Sequence, residues 1–224
     1  MELESLTRAL GVSGFEEEVR RLILGAVKEG EVDEFGNVLA KSGKSKVAFV
    51  AHMDEVGLLV TSIEEDGRIK FRKVGGVDDR ILPGSSVVLY GDGFKVEGVI
   101  GVAPPHFQQQ QQQVSWQDLY IDVGAANRQE AESMGIGPMT PAAFSRRYAE
   151  MGKFVSATAL DDRAGCWVLL EAYRRAAATY VWTVQEEVGL MGARALSRRL
   201  DVDYAVIVDT MACCHPNWTG GVKP

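Results

Sequence analysis

The sequence predicts an α/β fold, a mostly parallel sheet flanked by helices, with a small β-barrel domain inserted into it. Two observations carry this reading. Helical and strand-like segments alternate at both ends of the chain, the signature of a parallel sheet covered on both faces. Between residues 57 and 150 that alternation gives way to short β-rich runs punctuated by Gly and Asp.

In chain order, Ser13 followed by Glu16 has the spacing of a capping box opening a helix. The apolar positions of that helix are Phe15, Val19, Leu22, Ile23 and Val27, and Gly30 is expected to stop it. A polar stretch containing Gly36-Asn37 leads to Lys46 through Ala51, a continuous apolar run that suits a buried strand. The inserted segment contributes five β-rich runs: Leu58 to Ile63, Ile69 to Val74, Ser86 to Tyr90, Lys95 to Ile100 and Leu119 to Val123. The glutamine run Gln108 to Gln113 inside it reads as a solvated loop. Beyond Lys153, Arg163 to Ala178 and Gly189 to Leu200 read as helices, and Tyr180 to Val184 and Tyr204 to Val208 as strands. The expected division is a catalytic unit of residues 1–56 and 151–224, with an inserted β domain at 57–150.

Composition narrows the classes of function. With 46% hydrophobic and 25% charged residues, the 224-residue chain has an ordinary globular balance. A net charge of −7 argues against broad nucleic-acid binding, which needs a basic surface. No apolar stretch approaches the roughly 18 residues of a membrane span, and Met1-Glu2-Leu3-Glu4 lacks a signal-peptide pattern. Three cysteines, Cys166 and the adjacent Cys213 and Cys214, do not make a disulfide framework. A cytoplasmic location is the expectation.

The chemistry-bearing residues gather at predicted strand ends. His52 and Asp54 follow the first strand, Glu186 and Glu187 the Tyr180 to Val184 strand, and Asp209 the Tyr204 to Val208 strand. Asp161 and Asp162 precede the Arg163 helix. Open α/β sheets bind ligands outside the carboxyl ends of their strands, so three strands deliver metal-competent groups to one edge. Each residue alone has a plainer explanation. Asp161 or Asp162 would cap a helix, Glu186-Glu187 would suit a helix entry, and Asp209 a turn. Together they favour a metal centre, because carboxylate oxygen and imidazole nitrogen suit zinc and hard divalent cations. Two such ions about 3.5–4 Å apart polarise a carbonyl and generate hydroxide near neutral pH. A carboxylate left free of metal then serves as the base. Asp54, two residues beyond His52, suits a partner that orients the imidazole.

Ala51-His52-Met53-Asp54-Glu55-Val56-Gly57, Ala159-Leu160-Asp161-Asp162-Arg163, Val184-Gln185-Glu186-Glu187-Val188-Gly189 and Val208-Asp209 resemble, in that order, the signatures of M42 metallo-aminopeptidases. Asp118 to Ala125 in the insert is similar as well. This family includes glutamyl and tetrahedral aminopeptidases, and some relatives have been labelled endoglucanases. The resemblance implies a zinc-peptidase-like fold and a cytoplasmic hydrolase that removes N-terminal residues from peptides. It implies two divalent ions per subunit, zinc or cobalt, held by His52, bridging Asp161, Glu187 and Asp209, with Glu186 as general base. It also implies homo-oligomers: dimers formed through the insert, commonly assembled into hollow tetrahedral dodecamers.

One expected element has no counterpart. The family pattern includes a second metal-binding histidine well beyond the Asp209 position, so the chain reads as C-terminally incomplete. His215 is the alternative ligand, although Pro216 and its neighbours read as a loop, and His106 has no expected catalytic role. Three other functions stay open. A two-metal amidase or deacylase would use the same site on a non-peptide substrate. A glycan hydrolase needs two carboxyl groups at least about 5 Å apart across a sugar, which the adjacent Glu186 and Glu187 do not offer. A catalytically impaired assembly subunit fits the missing histidine but not the retained Glu186. Side-chain preference and metal identity are not written in the sequence.

Overall fold

A computed structural model describes residues 1–102 and 114–211. The glutamine run, His106, Cys213, Cys214 and His215 lie outside the described residues. The elements run α1 (Leu3–Arg8), α2 (Glu17–Ala26), β1 (Glu31–Val32), β2 (Val38–Ser42), β3 (Val47–His52), β4 (Gly57–Ile63), β5 (Ile69–Val74), β6 (Ser86–Gly91), β7 (Phe94–Gly101), β8 (Tyr120–Asp122), α3 (Arg128–Ser133), β9 (Pro141–Phe144), β10 (Tyr148–Met151), β11 (Phe154–Ala157), α4 (Leu160–Tyr173), β12 (Ala178–Thr183), α5 (Met191–Ser197) and β13 (Tyr204–Ile207).

A five-stranded sheet has the order β1-β2-β12-β3-β13. β12 and β13 both pair parallel to β3, while β2 joins β12 antiparallel and β1 joins β2 antiparallel. The parallel character is therefore confined to the three strands that reach the site, and the far side of the sheet is antiparallel. Every residue of β12 is buried, as its continuous run of apolar and β-branched residues requires of a strand covered on both faces. α4 packs on β3 and β12, α1 packs on α4, and α2 packs on β2. Their core is built from Leu6, Val19, Ile23, Leu169, Tyr180 and Trp182.

Register fixes the site before any side chain is considered. Thr183 lies opposite His52 in the β12–β3 ladder, and Ile207 lies opposite Val50 in the β13–β3 ladder. Residues a few positions beyond Thr183 and Ile207 must therefore emerge beside His52 at one sheet edge.

The chain leaves this sheet after β3 and enters a closed antiparallel barrel of order β4-β5-β8-β7-β6-β9. Its interior holds Leu58, Ile69, Phe71, Val87, Leu89 and Ile121. The barrel strands run from Gly57 to Phe144. The β10–β11 hairpin then carries the chain back to α4.

Several local expectations need correction. The Ser13–Glu16 pair is no capping box: α2 begins at Glu17 and its N-cap, Glu16, makes no capping bond. The Ser13 hydroxyl instead donates to Asp54 Oδ2 at 2.6 Å, across 41 positions of sequence. α2 ends at Ala26, four residues before Gly30, because Val27 is already extended. The helix expected over Arg163 to Ala178 stops at Tyr173, and β12 begins at Ala178, so tertiary pairing with β2 and β3 overrides the helix preference of the alanines. α5 likewise spans only Met191–Ser197 of the expected Gly189 to Leu200.

A buried ionic cluster ties barrel to sheet. Arg146, just beyond β9, makes two bonds of 2.7 Å to the two carboxylate oxygens of Glu55. Arg163 of α4, fully buried, reaches Glu55 Oε1 at 3.2 Å and the Met53 carbonyl at 2.9 Å. It also donates to the carbonyls of Leu6 and Ala9 at the end of α1. Removing one partner from such a cluster strands a buried charge at a cost of about 3–5 kcal/mol. Arg146→Ala is expected to lower the unfolding free energy in urea by roughly that amount. The double variant Glu55→Gln/Arg146→Met should lose at least as much, because it leaves the fully buried Arg163 guanidinium without its carboxylate.

Candidate functional site

The edge fixed by the strand register gathers His52, Asp161, Glu186, Glu187 and Asp209 around one imidazole nitrogen. His52 Nε2 lies 3.1 Å from Asp161 Oδ1, 3.8 Å from Asp209 Oδ1 and 3.9 Å from Glu186 Oε2. Ligand atoms of His52, Asp161 and Asp209 lie within 4.8 Å of one another, as do those of His52, Glu186 and Glu187. The imidazole is buried at 4% exposure, whereas the Asp161 and Asp209 side chains are 58% and 43% exposed. The floor of the site is thus protein and its carboxylate rim is open to a ligand.

Asp161 and Asp162 have separate tasks, which their spacing left undivided and which only the family resemblance had assigned. Asp162 is fully buried and its Oδ1 accepts from the Gly165 amide at 2.9 Å, capping the regular part of α4. A Cβ at Gly165 would collide with that carboxylate, so glycine is needed there. Asp161 turns the other way, toward His52.

Behind the imidazole sits Asp54, with no exposed surface. Its Oδ1 lies 3.4 Å from His52 Nδ1, a charge contact outside hydrogen-bond geometry. The same oxygen accepts the Glu186 amide at 2.9 Å, and Oδ2 accepts the Glu187 amide at 3.1 Å and the Ser13 hydroxyl. Burial alone would raise the Asp54 carboxyl, but the contacts from His52, Ser13 and the Glu186 amide outweigh it and hold it below its ordinary 3.8. Burial likewise opposes charge on His52, yet Asp54, Asp162 and Glu186 together push the imidazole up to about 9.

The open carboxylates show the opposite strain. Burial first, then repulsion from Asp161, Asp54 and Glu186, pushes Glu187 up to about 7. Burial, with Asp54, Asp209 and Asp161 adding to it, raises Glu186 above its ordinary 4.5. Among the described residues no Lys or Arg pairs with these groups; their ion contacts all run to His52. A donor set of one imidazole nitrogen and several mutually repelling carboxylates fits divalent cations.

A cleft of about 450 Å³ opens beside the cluster, lined by Asp161 and Glu187 together with Gly76 and Phe144. A Cβ added at Gly75, at φ +77°, would come within 3.2 Å of the Glu187 Cβ, so a glycine there lets the barrel approach the Glu187 backbone closely. Sequence reasoning brought forward six site residues, and the fold gathers all six: His52, Asp54, Asp161, Glu186, Glu187 and Asp209. It missed Ser13 and Glu16, whose short-range pattern disguised long-range contacts, and Glu55, whose buried ion pairs have no local signal.

These shifts set a pH dependence for the chain stripped of metal by a chelator. His52, Glu187 and Asp162 all have folded values raised above their ordinary ones: to about 9, about 7 and about 7. Raised values stabilise the fold at low pH and lose that contribution as pH climbs through them. The urea midpoint of the stripped chain is expected to fall between about pH 5 and 9. Added zinc, replacing protons as the counter-charge, should flatten the decline. A midpoint that rises across this range would contradict the electrostatic description.

The geometry agrees with comparisons to known proteins. The family model for M42 glutamyl aminopeptidase matches residues 36–223. A lysyl aminopeptidase of Pyrococcus furiosus is 33% identical over 239 aligned positions, covering 99% of this chain and 69% of that protein. A putative aminopeptidase of Acetivibrio thermocellus is 38% identical, covering 92% of this chain and 64% of its own length. Among solved structures, the TET1 peptidase of Pyrococcus horikoshii superposes with a TM-score of 0.90 at 39% identity, over 99% of this chain and 71% of that one. A Thermotoga maritima protein described as an endoglucanase superposes at 0.78 with 34% identity, over 94% of this chain and 66% of that one. The chain thus spans about two thirds of the length of such relatives. It belongs to the M42 glutamyl aminopeptidase family.

Proposed function

We propose that this chain carries the metal-binding and proton-transfer groups of a metal-dependent aminopeptidase. The observation that carries the reading is the convergence of one imidazole and four carboxylates, from three strand ends and the start of α4, beside an open cleft. In this reading His52, Asp161, Glu187 and Asp209 would hold two divalent ions, zinc or cobalt. When bound, such ions polarise the scissile carbonyl and acidify water.

The protein's own groups do the rest. Glu186 is the general base: its carboxylate takes a proton from the attacking water and returns it to the leaving amine. The burial and like-charge neighbours that raise its proton affinity suit a group that must both accept and release a proton near neutral pH. Asp54 holds the imidazole and the backbone of Glu186 and Glu187, so base and ligands keep a fixed spacing. A peptide lying in the cleft would meet Phe144 and Val56 on its apolar side.

The segment 57–150 is proposed to mediate dimerisation. The Pyrococcus horikoshii TET1 relative assembles into a tetrahedron or a large octahedral shell, which supports an oligomeric reading here. A cytoplasmic setting is in keeping with the buried free thiol of Cys166. Among the described residues no helix is long and apolar enough to cross a membrane.

A second reading is an assembly subunit of reduced activity, which the retained Glu186 disfavours.

Aminoacyl-anilide hydrolysis with zinc or cobalt added, alongside metal per chain by elemental analysis, separates these. The aminopeptidase reading expects turnover of free-amine substrates that Glu186→Gln lowers by about 10²–10⁴-fold with bound metal unchanged. Preference for N-acylated substrates would make the chain a deacylase. Bound metal without turnover would favour the assembly subunit.

A further inference from the structure

The Glu186–Glu187 segment lies beyond the last β12–β3 ladder pair, Thr183 with His52, so the sheet no longer holds its backbone. Gln185 takes a positive φ of 55°, turning the chain out of the strand. Four successive amides from Val184 to Glu187 would then need partners elsewhere. Each finds a side-chain oxygen. The Val184 amide donates to Asn37 Oδ1 at 3.0 Å and the Gln185 amide to Glu16 Oε1 at 3.1 Å. The Glu186 and Glu187 amides donate to the two oxygens of Asp54.

The three acceptors come from separate regions of the chain and are almost fully buried, at 0%, 2% and 0% exposure for Asn37, Glu16 and Asp54. Each is braced in turn. Asn37 Nδ2 donates to Asp33 at 2.8 Å and to the Gly192 carbonyl at 3.0 Å. Glu16 Oε1 also accepts the Gly14 amide at 2.8 Å, within the same turn that sends Ser13 to Asp54.

From this ladder we propose that Glu16 is a positioning residue for the metal-binding carboxylates, acting through the Gln185 amide to set the direction in which Glu186 and Glu187 leave the strand. The proposal rests on the two-metal reading of the site. A helix start needs no buried glutamate at its N-cap, and this one makes no capping bond. Its contact spans 169 sequence positions and meets the backbone immediately before the two site glutamates. Of the four amides, that of Gln185 belongs to the residue with the left-handed φ, so losing its partner frees the turn itself.

The test is cobalt binding by the full chain, followed by titration and by the visible absorption of bound Co²⁺. Glu16→Ala removes the acceptor; Glu16→Gln keeps a carbonyl oxygen able to serve both amides. Leu89→Ala, in the barrel core, is a control that destabilises the fold away from the site. Glu16→Ala is expected to weaken cobalt binding by about 10- to 100-fold and to alter the absorption spectrum. Glu16→Gln and Leu89→Ala should bind and absorb as the native chain does. If Glu16→Ala does not fold, Glu16→Asp, too short to serve both amides, replaces it with the same expectation. Native-like affinity and spectrum in the Ala or Asp variant would overturn the positioning role while leaving the metal site standing. Weakened binding in Glu16→Gln equal to that of Glu16→Ala would also overturn it, since charge rather than the acceptor would then matter. A native chain that binds no cobalt would remove the two-metal reading, and this proposal with it.

Discussion

Asp54 is the carboxylate around which the site is organised. It is fully buried, and a buried carboxylate is tolerable only if its oxygens are satisfied. Oδ1 faces the imidazole of His52 and accepts the Glu186 amide, and Oδ2 accepts the Glu187 amide and the Ser13 hydroxyl. Two strands, β3 and β12, are thereby joined beyond the point where their ladder stops, and the Gly11–Ser13 segment is pinned beside them. The need to satisfy one desolvated charge thus sets the spacing of three groups that face the open side of the site.

The same logic recurs one residue further on. Glu55 is also buried, and it is compensated by Arg146 from the exit of the barrel and Arg163 from the entry of α4. Arg163 follows immediately on Asp161 and Asp162, so the cluster links the barrel, the His52 segment and the start of α4. Gly75 completes the contact by packing the barrel against Glu187. A site made from separated pieces of chain can keep its geometry when each piece is anchored by a buried polar bond whose loss would be costly.

How much of this was legible in the sequence follows from the range of each interaction. The continuous apolar runs at β3 and β12 announced buried strands, and the acidic and histidine residues just beyond them announced a site, because those signals are local. The alternation of β-rich runs with Gly and Asp likewise announced the barrel. What stayed hidden were the buried hydrogen bonds that brace the site from distant parts of the chain. Ser13 and Glu16 carry the spacing of a capping box, and nothing within four residues distinguishes that use from reaching Asp54 and Gln185 at separations of 41 and 169 positions. Asn37 read only as part of a polar stretch, although its side chain braces the end of β12. The alanines before β12 favoured helix locally and yielded to pairing on both sides. Division of labour between Asp161 and Asp162 depended on backbone direction at one position, which spacing does not encode.

The central claim is that Asp54 holds the imidazole and the glutamate segment as one unit. Zinc titration of Asp54→Asn against the native chain by isothermal calorimetry tests it most directly. An asparagine keeps the size but removes the charge facing His52 and one of the oxygens that the two amides require. The expected result is zinc binding weakened by about 10- to 100-fold, with fewer ions held per chain than in the native protein. Binding of native affinity and stoichiometry in a folded Asp54→Asn variant would contradict the account.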